Sequence, residues 1–223
     1  ITALKSQRLH IPYLAEIGNE KLLADYEKAE KVEDKVFLGY LYEQKKVYGL
    51  DYDDLITIAL YILQTDETKR IKWQERMMYV MVDEFQDVSN SQYALAEILS
   101  GYHRNLFIVG DPDQTIYTWR GAQIEYILEF DETHENTRTI FLDMNYRSTP
   151  EILAVSNSLI EKNKKRLPHR LEAYKESGRR PIYIHSRTTG DEAQWMTSEI
   201  QRLVSEGASY NEMAVLYLSL IHI

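Results

Sequence analysis

The chain has 223 residues, with 26 basic against 35 acidic side chains and a net charge of -9. With 44% hydrophobic and 27% charged residues it allows one large globular domain or two modest ones, and excludes a disordered or fibrous chain. It has no cysteine, which removes disulfides, thiolate catalysis and zinc–thiolate sites and fits a reducing, cytoplasmic setting. No apolar run is long enough to span a membrane, and the N-terminal stretch lacks the apolar core of a signal peptide. The acidic average argues against a nucleic-acid protein, because phosphate backbones are held by Lys and Arg.

Along the chain, residues 20–47 mix apolar positions with alternating Lys and Glu and predict one or two amphipathic helices, interrupted at Gly49. Residues 52–63 (YDDLITIALYIL) predict a helix with Asp51, Asp53 and Asp54 at its positive end, apolar enough to lie deep against a sheet. Two short apolar runs, 79–82 and 106–109, read as strands, with a helix over 91–100 between them. Strand–helix–strand with apolar strands predicts a parallel sheet covered on both faces, whose ligands collect beyond the carboxyl ends. A short helix is expected over 121–130, then an acidic loop and a domain boundary near 135–140. Beyond it, strands are expected at 139–142, 181–185 and 213–217. Thr149-Pro150-Glu151 opens a helix to about Glu161, and Thr189-Gly190-Asp191-Glu192 opens another to about Val204.

Three constellations carry chemistry. In VMVDEFQD (80–87), Asp83 is placed to hold a magnesium ion and Glu84 to deprotonate an attacking water. An acidic strand-to-loop junction would look the same, but Gln86 and Asp87 make this one less ordinary. In LFIVGDPDQTIYTWRGA (106–122), Gln114 is placed to contact a terminal phosphate, and Trp119 beside Arg120 suits stacking on a base. The same turn also fits an aspartyl-phosphate phosphatase like the haloacid-dehalogenase family, with Asp111 as nucleophile and Asp113 as acid/base. In LDMNYRSTPEI (142–152), Tyr146 suits a nucleobase and Arg147 developing phosphoryl charge. The basic run from Lys162 to Arg187 could follow a phosphate backbone or be solvated surface. No glycine is followed by lysine, so the chain has no Gly-Lys-Ser/Thr phosphate loop, and its six histidines show no metal spacing.

Together VDEFQDVSNSQY (82–93), IVGDPDQTIYTWRGA (108–122) and LDMNYRSTPEI (142–152), with LDYDDLI (50–56), closely resemble the UvrD/PcrA/Rep-like superfamily 1 DNA helicases. The resemblance covers about 50–217. It implies RecA-like P-loop NTPase α/β domains, with parallel sheets and helices on both faces. Residues 1–49 would end a helical 1B-like insertion, 50–137 would be the C-terminal part of domain 1A, and 138–223 the N-terminal part of domain 2A. The implied activity is ATP-dependent 3'-to-5' translocation on single-stranded DNA and unwinding of partly duplex DNA, with ATP and Mg2+ as cofactors. Repair proteins are the partners such a helicase would have.

By the same resemblance Asp83 is the magnesium-associated aspartate, Glu84 the catalytic base and Gln114 the glutamine that couples the γ-phosphate to the DNA site. Trp119 stacks on DNA bases, Arg120 helps join the two sites, Tyr146 stacks on adenine and Arg147 contacts the γ-phosphate from domain 2A. Such a helicase binds DNA in a cleft by stacking and local charge, which answers the acidic average. The Ile1 start and the LSLIHI end then read as cuts in a longer chain. A non-catalytic single-stranded DNA-binding module is the remaining alternative for the segment alone.

Overall fold

The computed structural model describes residues 1–6 and 10–216. They form two compact units, Ile1–Met144 with Asn157–Leu171, and Asn145–Ser156 with the described part of Glu172–Ile223.

The first unit begins with six helices: α1 (Thr2–Ser6), α2 (Ile11–Ala15), α3 (Asn19–Lys28), α4 (Val32–Lys46), α5 (Tyr52–Thr65) and α6 (Glu67–Arg76). The 20–47 stretch is therefore two helices, and they bury Leu22, Phe37, Leu38 and Leu41 against one another. Asp51 and Asp54 form a reciprocal capping box that starts α5, each side chain accepting the other's backbone N–H at 3.0 Å. Asp66 caps α6, a helix with no counterpart in the sequence-based expectations, by accepting the Lys69 N–H.

The strands expected at 79–82 and 106–109 are present as β1 (Val80–Val82) and β2 (Leu106–Ile108). They pair in parallel, Val80 with Leu106, Met81 with Phe107 and Val82 with Ile108. The crossover between them contains α7 (Asn90–Ser100), which packs on both strands. Val82, Leu106 and Ile108 face a core of Phe85, Val88 and Phe130, where Phe85 meets Phe130 edge-on at 5.8 Å. The other face is uncovered, for Met81 is 74% and Phe107 57% exposed. Helices on both faces, as expected, are not found among the described residues. The apolar runs showed that both faces suit burial, but not what covers them. Nor does α5 lie against the sheet. Its main neighbours are α7, α6 and α1, so its apolar density serves a helix-on-helix layer.

The expected helix at 121–130 starts later and splits into α8 (Glu125–Leu128) and α9 (Phe130–Thr133). Gly121 precedes it with φ of 88°, a left-handed backbone that ends the 3-10 turn Thr118–Arg120 and delays the helix. Residues 139–142 and 181–185 are not strands, and 213–216 are not strand either, while Tyr217 and the LSLIHI tail lie outside the described residues. These runs have strand composition but, among the described residues, no partner that completes a ladder. The second small sheet instead joins β3 (Met144–Asn145) and β4 (Glu172–Ala173). Helix α10 (Pro150–Ile160) begins at the expected proline. Helix α11 (Thr189–Ser205) is capped one residue earlier than expected, by Thr188, whose hydroxyl accepts the Asp191 N–H at 3.1 Å. No helix among the described residues is long and apolar enough to cross a membrane.

Candidate functional site

The parallel pair puts two loops at one edge, beyond the carboxyl ends of its strands, where such sheets collect ligands. The loop after β1 carries Asp83 and Glu84, and the loop after β2 carries Gly110 to Gln114. Backbone bonds of 2.9 Å, from Val109 N–H to the Val82 carbonyl and from Phe85 N–H to the Val109 carbonyl, hold the loops in register.

Asp83 and Glu84 are both exposed. One Asp83 oxygen accepts the Glu84 N–H at 2.9 Å. Magnesium usually keeps several waters and takes one or two carboxylates plus substrate phosphates, so an exposed aspartate at a strand end fits one position of that shell. Glu84 sits in the left-handed region, φ 51° and ψ 44°, where the chain leaves the strand for the 3-10 turn Phe85–Asp87. Its Oε2 accepts a hydrogen bond from Gln86 Nε2 at 2.8 Å.

Across the edge, Asp111 caps the 3-10 turn Pro112–Gln114 by accepting the Asp113 N–H at 3.0 Å, and its second oxygen accepts Gln114 Nε2 at 2.8 Å. Gln114 is thus held by Asp111, on the same strand edge as Asp83 and Glu84. The 3-10 turn that follows presents Trp119, 73% exposed, with the Arg120 guanidinium 4.6 Å from its ring centroid and 5.0 Å from that of Tyr117. Such a cation-on-ring arrangement leaves the other ring face open to a base.

Asp113, the acid/base residue of the phosphatase reading, lies largely enclosed. Its side chain is only 7% exposed and is paired with Arg166 at 3.0 Å. The guanidinium engages that carboxylate twice, through Nε at 3.1 Å and Nη2 at 3.0 Å. Asp111, Asp113 and His169 come within metal-ligand reach of one another. Arg166, which also donates to the His169 carbonyl at 3.0 Å, already supplies the positive charge there. Arg166 is thus engaged with Asp113 and the His169 carbonyl, while Lys165 pairs with Glu125 at 2.8 Å on an exposed surface.

Tyr146 and Arg147 belong to the second unit. Asn145 turns the chain there, its Oδ1 accepting the backbone N–H groups of Arg147 at 2.9 Å and Ser148 at 2.8 Å. Tyr146 leans on Tyr174 at 4.9 Å yet stays largely exposed, and Arg147 is exposed, making no ion pair among the described residues.

Sequence reasoning noticed Gln86 but gave it no role. It is 1% exposed, with both ends of its carboxamide engaged, Nε2 on Glu84 and Oε1 accepting the Asp111 N–H at 3.0 Å. The pairing of Arg166 with Asp113 was missed altogether. The only available hint was an arginine inside a basic run.

Residues 4–135 match the UvrD/REP helicase N-terminal domain, and residues 140–220 match the UvrD-like helicase C-terminal domain. The chain is 38% identical over 182 residues to an ATP-dependent DNA helicase PcrA of Staphylococcus epidermidis, covering 82% of this chain and 25% of that protein. It is 35% identical over 216 residues to an ATP-dependent DNA helicase PcrA of Staphylococcus aureus, covering 94% of this chain and 30% of that one. The chain thus spans 25–30% of the length of the curated relatives it matches. With both halves matched by adjoining helicase domains, the chain belongs to the UvrD/PcrA/Rep-like helicase family.

Proposed function

We propose that the chain is the central part of an ATP-dependent DNA helicase that moves 3'-to-5' on single-stranded DNA and opens partly duplex DNA, acting in the cytoplasm. The observation that carries this reading is the parallel β1–β2 edge, which brings Asp83 and Glu84 beside the turn of Gln114. The printed names of the relatives support it.

In this reading residues 50–137 and 138–223 are parts of RecA-like domains 1A and 2A, and residues 1–49 close a helical 1B-like subdomain. The interval between the matched stretches, 4–135 and 140–220, supports the boundary. When bound, Mg2+-ATP supplies the phosphoanhydride whose cleavage drives movement. Asp83 offers one carboxylate to the ion. Glu84 orients the attacking water and accepts its proton on the carboxylate. Gln114 and Arg147 contact the terminal phosphate, and Tyr146 stacks on adenine. Trp119 and Arg120 take the DNA base, on the same loop after β2 that carries Gln114.

The test is oligo(dT) binding by the chain. Trp119→Ala is expected to weaken it about tenfold, since stacking on an aromatic contributes about 1–3 kcal/mol per base. Undiminished binding would refute the assignment. Lacking a Gly-Lys-Ser/Thr loop, the chain alone is expected to turn over no ATP. DNA-stimulated hydrolysis abolished by Glu84→Gln would overturn that expectation.

A further inference from the structure

We infer that Gln86 is a positioning residue that ties the Glu84 carboxylate to the turn of Gln114, on the loop that goes on to Trp119 and Arg120, so that a change at either end is felt at the other. The inference rests on the roles proposed above for Glu84 and Trp119.

The chemistry of the bridge admits little else. The Asp111 N–H can only donate, so it demands the carbonyl end of the Gln86 side chain. The Glu84 carboxylate can only accept, so it demands the NH2 end. The two partners therefore fix the orientation of the carboxamide. A glutamate here would keep the Asp111 bond but oppose Glu84 with a second carboxylate. A methionine of similar length would keep neither.

Gly110 is the second, independent sign that the structure is built around this contact. A Cβ at that position would lie 2.5 Å from Gln86 Oε1 and 3.0 Å from the Phe85 nitrogen. Only glycine lets the β2 loop come close enough for Gln86 to reach across.

From Asp111 the linkage continues through its own side chain to Gln114 at 2.8 Å and to the Asp113 N–H at 3.0 Å. A contiguous series thus runs Glu84, Gln86, Asp111, Gln114. The backbone bonds from Val82 to Val109 and from Val109 to Phe85 keep the frame rigid around it. The link most open to change is the Gln86–Glu84 bond, because Glu84 is exposed and a turn of its carboxylate toward water or substrate breaks it. Because Gln86 is fully enclosed, breaking that bond leaves a buried NH2 without a partner, and the carboxamide must then readjust against Asp111.

The experiment uses the 15N-labelled chain. Glu84→Ala is expected to shift the Asp111 backbone amide resonance when Gln86 is present, and to leave it in place in a Gln86→Met background. A residue that merely fills space would give no such dependence. An Asp111 amide that moves equally in both backgrounds, or in neither, overturns the inference. Should Gln86→Met fail to fold, the unmutated chain decides. The scalar coupling across the hydrogen bond from the Asp111 nitrogen to the Gln86 carboxamide must be present and must change in Glu84→Ala, and its absence overturns the bridge.

A second arm reads oligo(dT) affinity. Glu84→Ala should change it about threefold with Gln86 and not with Gln86→Met, as expected of residues coupled in one network. Equal changes in the two backgrounds count against the relay. If the chain binds no oligo(dT), the DNA reading of Trp119 fails, while the amide measurement still decides the bridge.

Discussion

Lys5 and Asp54 form an ion pair of 2.6 Å in which neither side chain is exposed to water. The same ammonium lies 2.6 Å from Asp51 and donates to Gln44 Oε1 at 3.2 Å, while Gln44 Nε2 donates back to Asp54. Tyr40 adds a hydroxyl bond of 2.6 Å to Asp51 and a ring 5.1 Å below the lysine. A single residue of α1, Lys5, thereby fastens that helix to α4 and to the cap of α5. Removing the lysine alone would strand a fully buried carboxylate. Lys5→Met is expected to cost about 3–5 kcal/mol in urea unfolding, whereas Lys5→Met with Asp54→Leu should recover much of it. A loss in Lys5→Met no larger than that of a surface lysine such as Lys21→Met would show that the pair contributes nothing.

The same cluster sets an acid dependence. His10 Nε2 lies 3.1 Å from Thr57 Oγ1 and 3.3 Å from Asp54, and burial, reinforced by Lys5, pushes its pKa below the usual 6.5 despite Asp51, Asp53 and Asp54 nearby. As pH falls below 6.5 the unfolded chain takes a proton that the folded chain refuses, so stability drops from there down to the folded value. Burial alone would raise Asp51, but the bonds from Lys5 and Tyr40 outweigh it and hold that carboxyl at about 2. Its contribution is present above 3.8 and is lost as pH falls toward 2. Urea midpoints against pH should show both limbs. His10→Asn should remove the upper limb and spare the lower, and persistence of the upper limb in that variant would assign it elsewhere.

Arg120 should matter to DNA through Trp119 and not only through its charge. With the guanidinium 4.6 Å from the Trp119 ring, Arg120→Gln is expected to weaken oligo(dT) binding about three- to fivefold. Arg202→Gln, at a guanidinium already paired with Glu199 and Glu206, is the control for charge alone. Equal losses in the two variants would remove the stacking role.

What could be read from sequence followed from locality. An apolar run that stops at acidic residues gave β1 and β2, and an Asp or a Thr-Pro pair gave the starts of α5 and α10, because each signal lies within one turn of its effect. The runs at 139–142 and 181–185 show the limit, since a strand exists only where a distant segment completes its ladder. Two adjacent threonines, Thr188 and Thr189, left the start of α11 ambiguous by one residue, and the hydroxyl geometry chose the first. Motif spacing singled out Asp83, Glu84, Gln114 and Trp119 as candidates. The links that organise them, Gln86 to Asp111 across 25 positions and Arg166 to Asp113 across 53, are non-local and carry no periodic signal.

Met81 and Phe107 face each other across β1 and β2 with more than half of each side chain in water. Two such neighbours in the middle of a parallel sheet make an adhesive patch, and in solution adhesion depends on protein concentration. The chain should therefore sediment with a mass that rises as it is concentrated, and Met81→Lys with Phe107→Glu should abolish the rise while leaving the Asp83–Trp119 edge intact. Binding measured on the unaltered chain at high concentration would then combine two equilibria, DNA with chain and chain with chain. Dilution separates them.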